Sequence, residues 1–231
     1  MIPSFNQGDL PSRESLGIIP AGGDGPRIYP LEKATIHLSD EKYSDKTILI
    51  YHILADNTHM DIVAALWPFF LPLIAFLVAL IHIRWKQCTG YRAIGAVLMW
   101  QLVIGLGLGY LWAGLGHLLT PDSVAGSIGW PAGSPFQREV GMWDLSLGIV
   151  GILCLFFRDE GFFTATIIGT GIFSISAGIG HLYELIFHGN TAVNNAGAVM
   201  YMDLFYPLFL SALLILYHTK MREARMKEGF T

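Results

Sequence analysis

Ile104-Gly-Leu-Gly-Leu-Gly-Tyr-Leu-Trp-Ala-Gly-Leu-Gly-His-Leu118 and Ile168-Gly-Thr-Gly-Ile-Phe-Ser-Ile-Ser-Ala-Gly-Ile-Gly-His-Leu182 decide how the rest of the chain is read. Set one over the other at a constant offset of 64, they agree at eight of fifteen positions, including the whole run Ala-Gly-x-Gly-His-Leu. Both are long, apolar and without an acid or a lysine, as membrane-crossing helices are. After each comes a loop, five residues shorter the second time, and then a second apolar segment. There Trp143-Asp144-Leu145 falls over Met202-Asp203-Leu204. The sequence therefore predicts two copies of one helix pair. Because each copy holds an even number of crossings, the copies run parallel, related by an axis along the membrane normal.

Outward from the repeat, the composition agrees. Of 231 residues, 53% are hydrophobic and 14% charged, far to the apolar side of a globular domain. One further run, Ile62–Ile83, lacks Asp, Glu, Lys and Arg altogether, carries Pro68 and Pro72, and is long enough to cross. The expected crossings are thus Ile62–Ile83, Ala93–Leu119, Val140–Phe157, Phe162–Phe187 and Ala196–His218. The fold class is all-α: a polytopic membrane protein of five transmembrane helices, the last four a parallel repeat of two hairpins. In domain terms this gives an N-terminal arm at 1–60 ending in an interfacial helix, a first transmembrane helix at 61–85, a four-helix bundle at 92–220 (repeats 92–158 and 161–220) and a tail at 221–231.

The arm is rich in Pro and Gly, as in Pro20-Ala-Gly-Gly-Asp-Gly-Pro26, and holds nine of the chain's 18 acids in residues 1–61. Arg27–Ser39 reads as a strand or extended arm, and Thr47–His59 as a short helix at the membrane surface. With no basic start followed by an apolar core there is no cleavable signal peptide, so the mature chain is expected to begin near Met1. Eight of the 14 basic residues fall in Arg84–Arg92, at Arg158 and in the C-terminal tail, which puts those loops in the cytoplasm and the N-terminus outside a cell membrane. Cys88 and Cys154 form no paired motif.

Ionisable groups inside a crossing are costly and point at function or at protein. Four come from the repeat: His117, Asp144, His181 and Asp203, both histidines and both aspartates expected near the outer level of the bundle. An imidazole steered by a carboxylate can ligate haem or a metal ion, hydrogen-bond a quinone, or relay a proton. The same four can equally clamp helices together, or not meet at all. Glu184 and His188 follow His181 on one helical face and make a possible metal half-site, His181-x-x-Glu184-x-x-x-His188; the first copy has Thr120 and Val124 there. His52, His59 and Asp61 form a further polar cluster before the first crossing. Gly105, Gly109 and Ala113, and in the second copy Thr170, Ser174 and Gly178, recur at every fourth position and predict a close-packing face. Thr120–Gln137, with Pro121, Pro131 and Pro135 among glycines, is expected as an irregular lid anchored by Trp130 and Phe136. No Walker motif, dinucleotide fingerprint, catalytic triad signature or nucleic-acid-binding patch occurs, which leaves soluble-enzyme chemistry and nucleic-acid partners without support.

Leu111-Trp-Ala-Gly-Leu-Gly-His-Leu-Leu-Thr-Pro-Asp-Ser-Val-Ala125, followed by Ile128-Gly-Trp-Pro131 and Trp143-Asp-Leu-Ser-Leu-Gly148, resembles the DoxX-like group of four-helix membrane proteins. Ile128-Gly-Trp-Pro-Ala-Gly-Ser-Pro-Phe-Gln-Arg-Glu-Val-Gly141 is similar to an uncharacterised prokaryotic four-helix membrane family. The resemblance covers about residues 93–218 and implies a four-helix bundle, in some members beside thiosulfate- or quinone-linked oxidoreductases. His117 stands where the broad pattern has lysine, so no functional residue transfers. The leading functional expectation is an accessory, non-catalytic subunit of a larger membrane complex, docking through the N-terminal arm and first helix. Behind it stand a cofactor protein holding haem, metal or quinone at the His/Asp pairs, and a path for a small solute or protons.

Overall fold

The computed structural model describes residues 58–229, with side chains from Leu66 onward. The expectations for residues 1–57, and for the side chains of His59 and Asp61, lie outside the described residues. Within them every regular element is helical: α1 (Thr58–Lys86), α2 (Tyr91–Trp100), a π-helical stretch (Gln101–Leu108), α3 (Gly109–Leu119), α4 (Pro121–Ile128), α5 (Phe136–Leu153), α6 (Glu160–His188), α7 (Val193–Ala196) and α8 (Ala198–Glu228).

Local chemistry sets the breaks. Asp159 caps α6 by accepting from the Phe162 N–H at 2.9 Å, satisfying one of the first-turn donors that a helix cannot pair itself. Pro121 opens α4, where a missing N–H costs nothing, and Gly129 closes it at φ 82°, a left-handed turn that suits glycine. The segment read as an irregular lid therefore contains two turns of helix. Its prolines and glycines sit at the boundaries, so counting them hid an ordinary start and stop.

Four stretches are long and apolar enough to cross a membrane: Leu66–Lys86, Tyr91–Leu119, Glu160–His188 and Val193–Glu228. The chain is an integral, multi-pass membrane protein. α5, where the third crossing was expected, falls outside this set because 18 residues carry Arg138, Glu139 and Asp144. It packs antiparallel along α3 and the π stretch, while α6 packs along α8, and α1 lies against α2 and the π stretch.

The α3–α5 contact is made by glycines. A Cβ on Gly151 would stand 2.7 Å from the Gly107 Cα and 2.9 Å from the Leu102 carbonyl, and one on Gly114 would stand 2.8 Å from the Gly141 carbonyl. Such spacing lets two backbones touch, which in lipid supplies the packing that no hydrophobic effect provides. Toward α5 the close-approach residues are Gly107 and Gly114; of the predicted Gly105, Gly109 and Ala113, Gly105 is closely approached, but by Tyr206 of α8, while Gly109 has no neighbour within 4 Å of a Cβ. The π stretch explains the change, since i→i+5 bonding turns each later residue to a different face. In α6, which is α-helical throughout, Thr170, Ser174 and Gly178 are buried as expected. The halves are joined at the end of the bundle away from the histidines by an apolar core that includes Leu98, Leu102, Cys154, Ile167 and Leu210.

Candidate functional site

At the other end each helix pair brings its histidine to its aspartate. His117, in the last turn of α3, places Nε2 3.9 Å from Asp144 Oδ2, and His181 of α6 places Nε2 3.8 Å from Asp203 Oδ2 on α8. Asp144 and His181 are buried. All four residues sit where α3 and α6 approach the same end of the bundle.

The other face of each ring is held by a carboxamide. His117 Nδ1 lies 2.6 Å from Gln137 Oε1, and His181 Nδ1 lies 2.9 Å from Asn195 Oδ1. Gln137 and Asn195 are among the most deeply buried polar residues in the protein. Asn195 has no freedom to turn over, because its Nδ2 donates to the His181 carbonyl at 3.2 Å and to the Asn190 carbonyl at 2.9 Å. Its oxygen therefore faces the ring, and a carbonyl oxygen can only accept, so His181 Nδ1 carries a hydrogen. In the neutral ring Nε2 is then a bare acceptor, and it faces a second acceptor, the Asp203 carboxylate.

Hydroxyls and rings complete the surroundings. Tyr110 Oη and Ser174 Oγ are 2.6 Å apart, joining α3 to α6, and Ser174 Oγ donates to Asp203 Oδ1 at 3.4 Å. Trp130, from the turn after α4, stacks on His181 with ring centroids 6.3 Å apart and planes 20° apart. Asn190 and Asn194 hold that turn by donating to the Ile128 carbonyl and to Ser127 Oγ. Glu184 and His188 face each other at 4.0 Å on the outer side of α6, His188 exposed and Glu184 partly so, while His181 is turned inward. Among the described residues no group of three or more His, Cys, Asp or Glu side chains is arranged to hold a metal ion.

His117, Asp144, His181 and Asp203 are thus brought together two by two, and Glu184 and His188 are not brought to His181. Gln137, Asn195, Tyr110 and Ser174 were not singled out for the site. A signal was present for Gln137, which stands seven residues before Asp144 on α5, two helical turns that bring it to the same side, whereas Asn195 reaches its place from α7, across the extended Gly197.

A membrane bundle with buried, carboxylate-facing histidines at one end is the class that fold and site define. The profile of a family of unknown function, DUF6790, matches residues 65–223, and the chain belongs to that family. No curated protein and no solved structure matches it.

Proposed function

We propose that this protein binds and exchanges protons at two His–Asp pairs near one face of the membrane. The observation that carries the reading is the pinned Asn195 amide. With Nδ1–H committed to it, His181 Nε2 and the Asp203 carboxylate are two acceptors aimed at each other across 3.8 Å. In an apolar bundle that arrangement is repulsive until one proton joins it, as imidazolium or as carboxylic acid. The pair is thus a one-proton site whose occupant can leave in either direction, and His117 with Asp144 repeats it. A metal cation would satisfy the same two acceptors, but it would need further ligands from beyond the described side chains.

Nitrogen-15 NMR of histidine-labelled protein in lipid tests this, with assignments by His181→Gln and Asp203→Asn. The expected spectrum has His181 Nδ1 always protonated and one further proton on Nε2 or on Asp203. A neutral Nε2–H tautomer, or an ionised Asp203 beside a neutral ring, refutes the reading.

We further propose a five-crossing protein in which α1 is followed by two parallel hairpins. α5 covers roughly 27 Å at 1.5 Å per residue, with Arg138 and Glu139 in its opening turns and Asp144 turned into protein. Support for the repeat comes from equivalent contacts: Gly114 against Leu145 and Gly178 against Leu204, Gly107 against Gly148 and Gly171 against Pro207. Tyr110 and Ser174, which meet at 2.6 Å, are themselves equivalent at offset 64. Kinship with the DoxX-like group rests on the quoted motifs and adds no site residue. The basic residues favour the N-terminus outside and the C-terminus in the cytoplasm. A role as accessory subunit is favoured by α1, which leaves Leu73, Leu77 and Ile81 bare for lipid or a partner helix. Native mass measurement after gentle extraction separates these, and a lone monomer removes the subunit role while leaving the proton site standing.

A further inference from the structure

The inward side of α6 carries four polar side chains among the buried Phe163, Ile167, Gly171 and Gly178. Thr166, Thr170, Ser174 and His181 are each at most 8% exposed, and the first three are four residues apart, one above the other on a single helix face. At the far end from His181, Glu160 opens the same helix. Its carboxylate faces His218 Nε2 of α8 at 3.5 Å and accepts from Arg225 at 3.2 Å. His218 Nε2 is itself a buried nitrogen without a hydrogen bond. Between the two ends lies the apolar core of Leu98, Leu102, Ile167 and Leu210. Thr166 and Thr170 lie beside that core, as do buried Gln101, which accepts from Tyr206 Oη at 2.8 Å, and the Cys154 thiol.

Threonine in a helix ordinarily bonds the carbonyl one turn back, and Thr166 and Thr170 do so, to Phe162 and Thr166 at 2.8 and 2.7 Å. Those bonds use each hydroxyl's hydrogen and leave its oxygen lone pairs able to accept. Cys154 Sγ already donates to Thr166 Oγ1 at 3.6 Å, and Ser174 is in contact with both Tyr110 and Asp203. The upper end of the stripe is therefore joined to the His181–Asp203 pair.

We propose that the buried face of α6 carries protons between that pair and Glu160–His218 at the opposite end, through Ser174, Thr170 and Thr166. In each step a hydroxyl swings off its backbone carbonyl, accepts one proton on a lone pair and releases its own to the next group or to an intervening water, so every hydroxyl ends neutral and no electrons move. Because the surroundings are apolar and tightly packed, the route selects for protons over larger ions. It rests on the proton-site reading above, and the experiment separates the two.

Purified full-length protein in liposomes is given a pH gradient with potassium and valinomycin to clamp the potential, and internal pH is followed with a trapped dye. Proton flux should be measurable over empty vesicles. The double variant Thr166→Val, Thr170→Val keeps side-chain shape and should lower the flux by about tenfold, equivalent to ~1.4 kcal/mol on a barrier. Thr166→Ser, Thr170→Ser should restore it. Asp203→Asn should abolish it. If Asp203→Asn abolishes the flux while the double valine variant conducts normally, the route along α6 is wrong and the site survives. If Asp203→Asn conducts normally, the site reading fails with it. No flux in the natural protein, with folding verified by unchanged thermal unfolding, refutes the route outright.

Discussion

The helix pairs α3–α5 and α6–α8 reach nearly the same geometry, 3.9 and 3.8 Å between imidazole and carboxylate, by different backbones. The first uses a π-helical stretch and glycine against glycine, so that Gly107 and Gly151 touch. The second keeps α6 regular, sets Gly178 under Leu204 and the Asp203 Cβ, and places Pro207 in α8. Pro207 has no N–H for the carbonyl one turn back, which is that of Asp203. What the two share is the set of side chains around the histidine: a carboxamide on Nδ1, a carboxylate before Nε2, a hydroxyl at Tyr110 or Ser174. Backbone route is free to vary; the side-chain constellation is what both arrangements serve.

The sharpest way to break the comparison is to fill the glycine contact. Gly151→Leu should destabilise the first pair by about 1–3 kcal/mol or more, because the obstructing atoms are backbone and cannot swing away. Gly169→Leu, at a position with open space in the second pair, should be close to neutral. Thermal unfolding in one detergent reads both. Equal effects would mean that the close approach of α3 and α5 is not what holds them.

Much of this was legible in the sequence, and the boundary of what was legible is physical. The membrane class followed from apolar runs, and each histidine meets the aspartate that the aligned copies paired with it. In the first pair the close-packing face held at Gly105, which Tyr206 of α8 approaches, and toward α5 it moved to Gly107 and Gly114, since spacing by four assumes an α-helix and Gln101–Leu108 is not one. α5 was read as a crossing from its apolar half, and its three charged residues leave that with the proposals. The carboxamides were passed over because Gln137 looked like loop and Asn195 like the approach to a helix. Their role depends on burial, which a linear sequence does not display. The sequence alone points to Trp130 as an anchor at headgroup level, whereas its ring lies on the histidine of the other helix pair.

Removing the carboxamides should separate the pairs by a smaller margin. Asn195→Ala strips His181 Nδ1 and two backbone carbonyls of their partner, and leaving buried polar groups unpaired costs about 1–3 kcal/mol. Gln137→Ala removes the partner of His117 Nδ1 and should cost less, about 1 kcal/mol. Histidine NMR of the same variants gives a second readout. In Asn195→Ala, His181 should begin to sample the Nε2–H tautomer that the amide excludes, while His117 keeps its own. If His181 holds its tautomer without Asn195, the amide does not set it, and the argument for a shared proton loses its foundation.

The smallest expected effect concerns the lid, where the two pairs differ most plainly. Trp130 covers His181, and among the described residues no aromatic ring stacks on His117. Trp130→Leu keeps bulk and loses the stacked ring, which should lower stability by about 0.5–1.5 kcal/mol. Its main signature should be in exchange: the His181 ring protons should trade with water faster, and those of His117 should not change. That outcome would make Trp130 the barrier between the second pair and the aqueous face. Equal acceleration at both histidines would instead mean that the variant has loosened the whole end of the bundle, and the difference between the pairs would lie in α4 and its asparagine ties rather than in the ring.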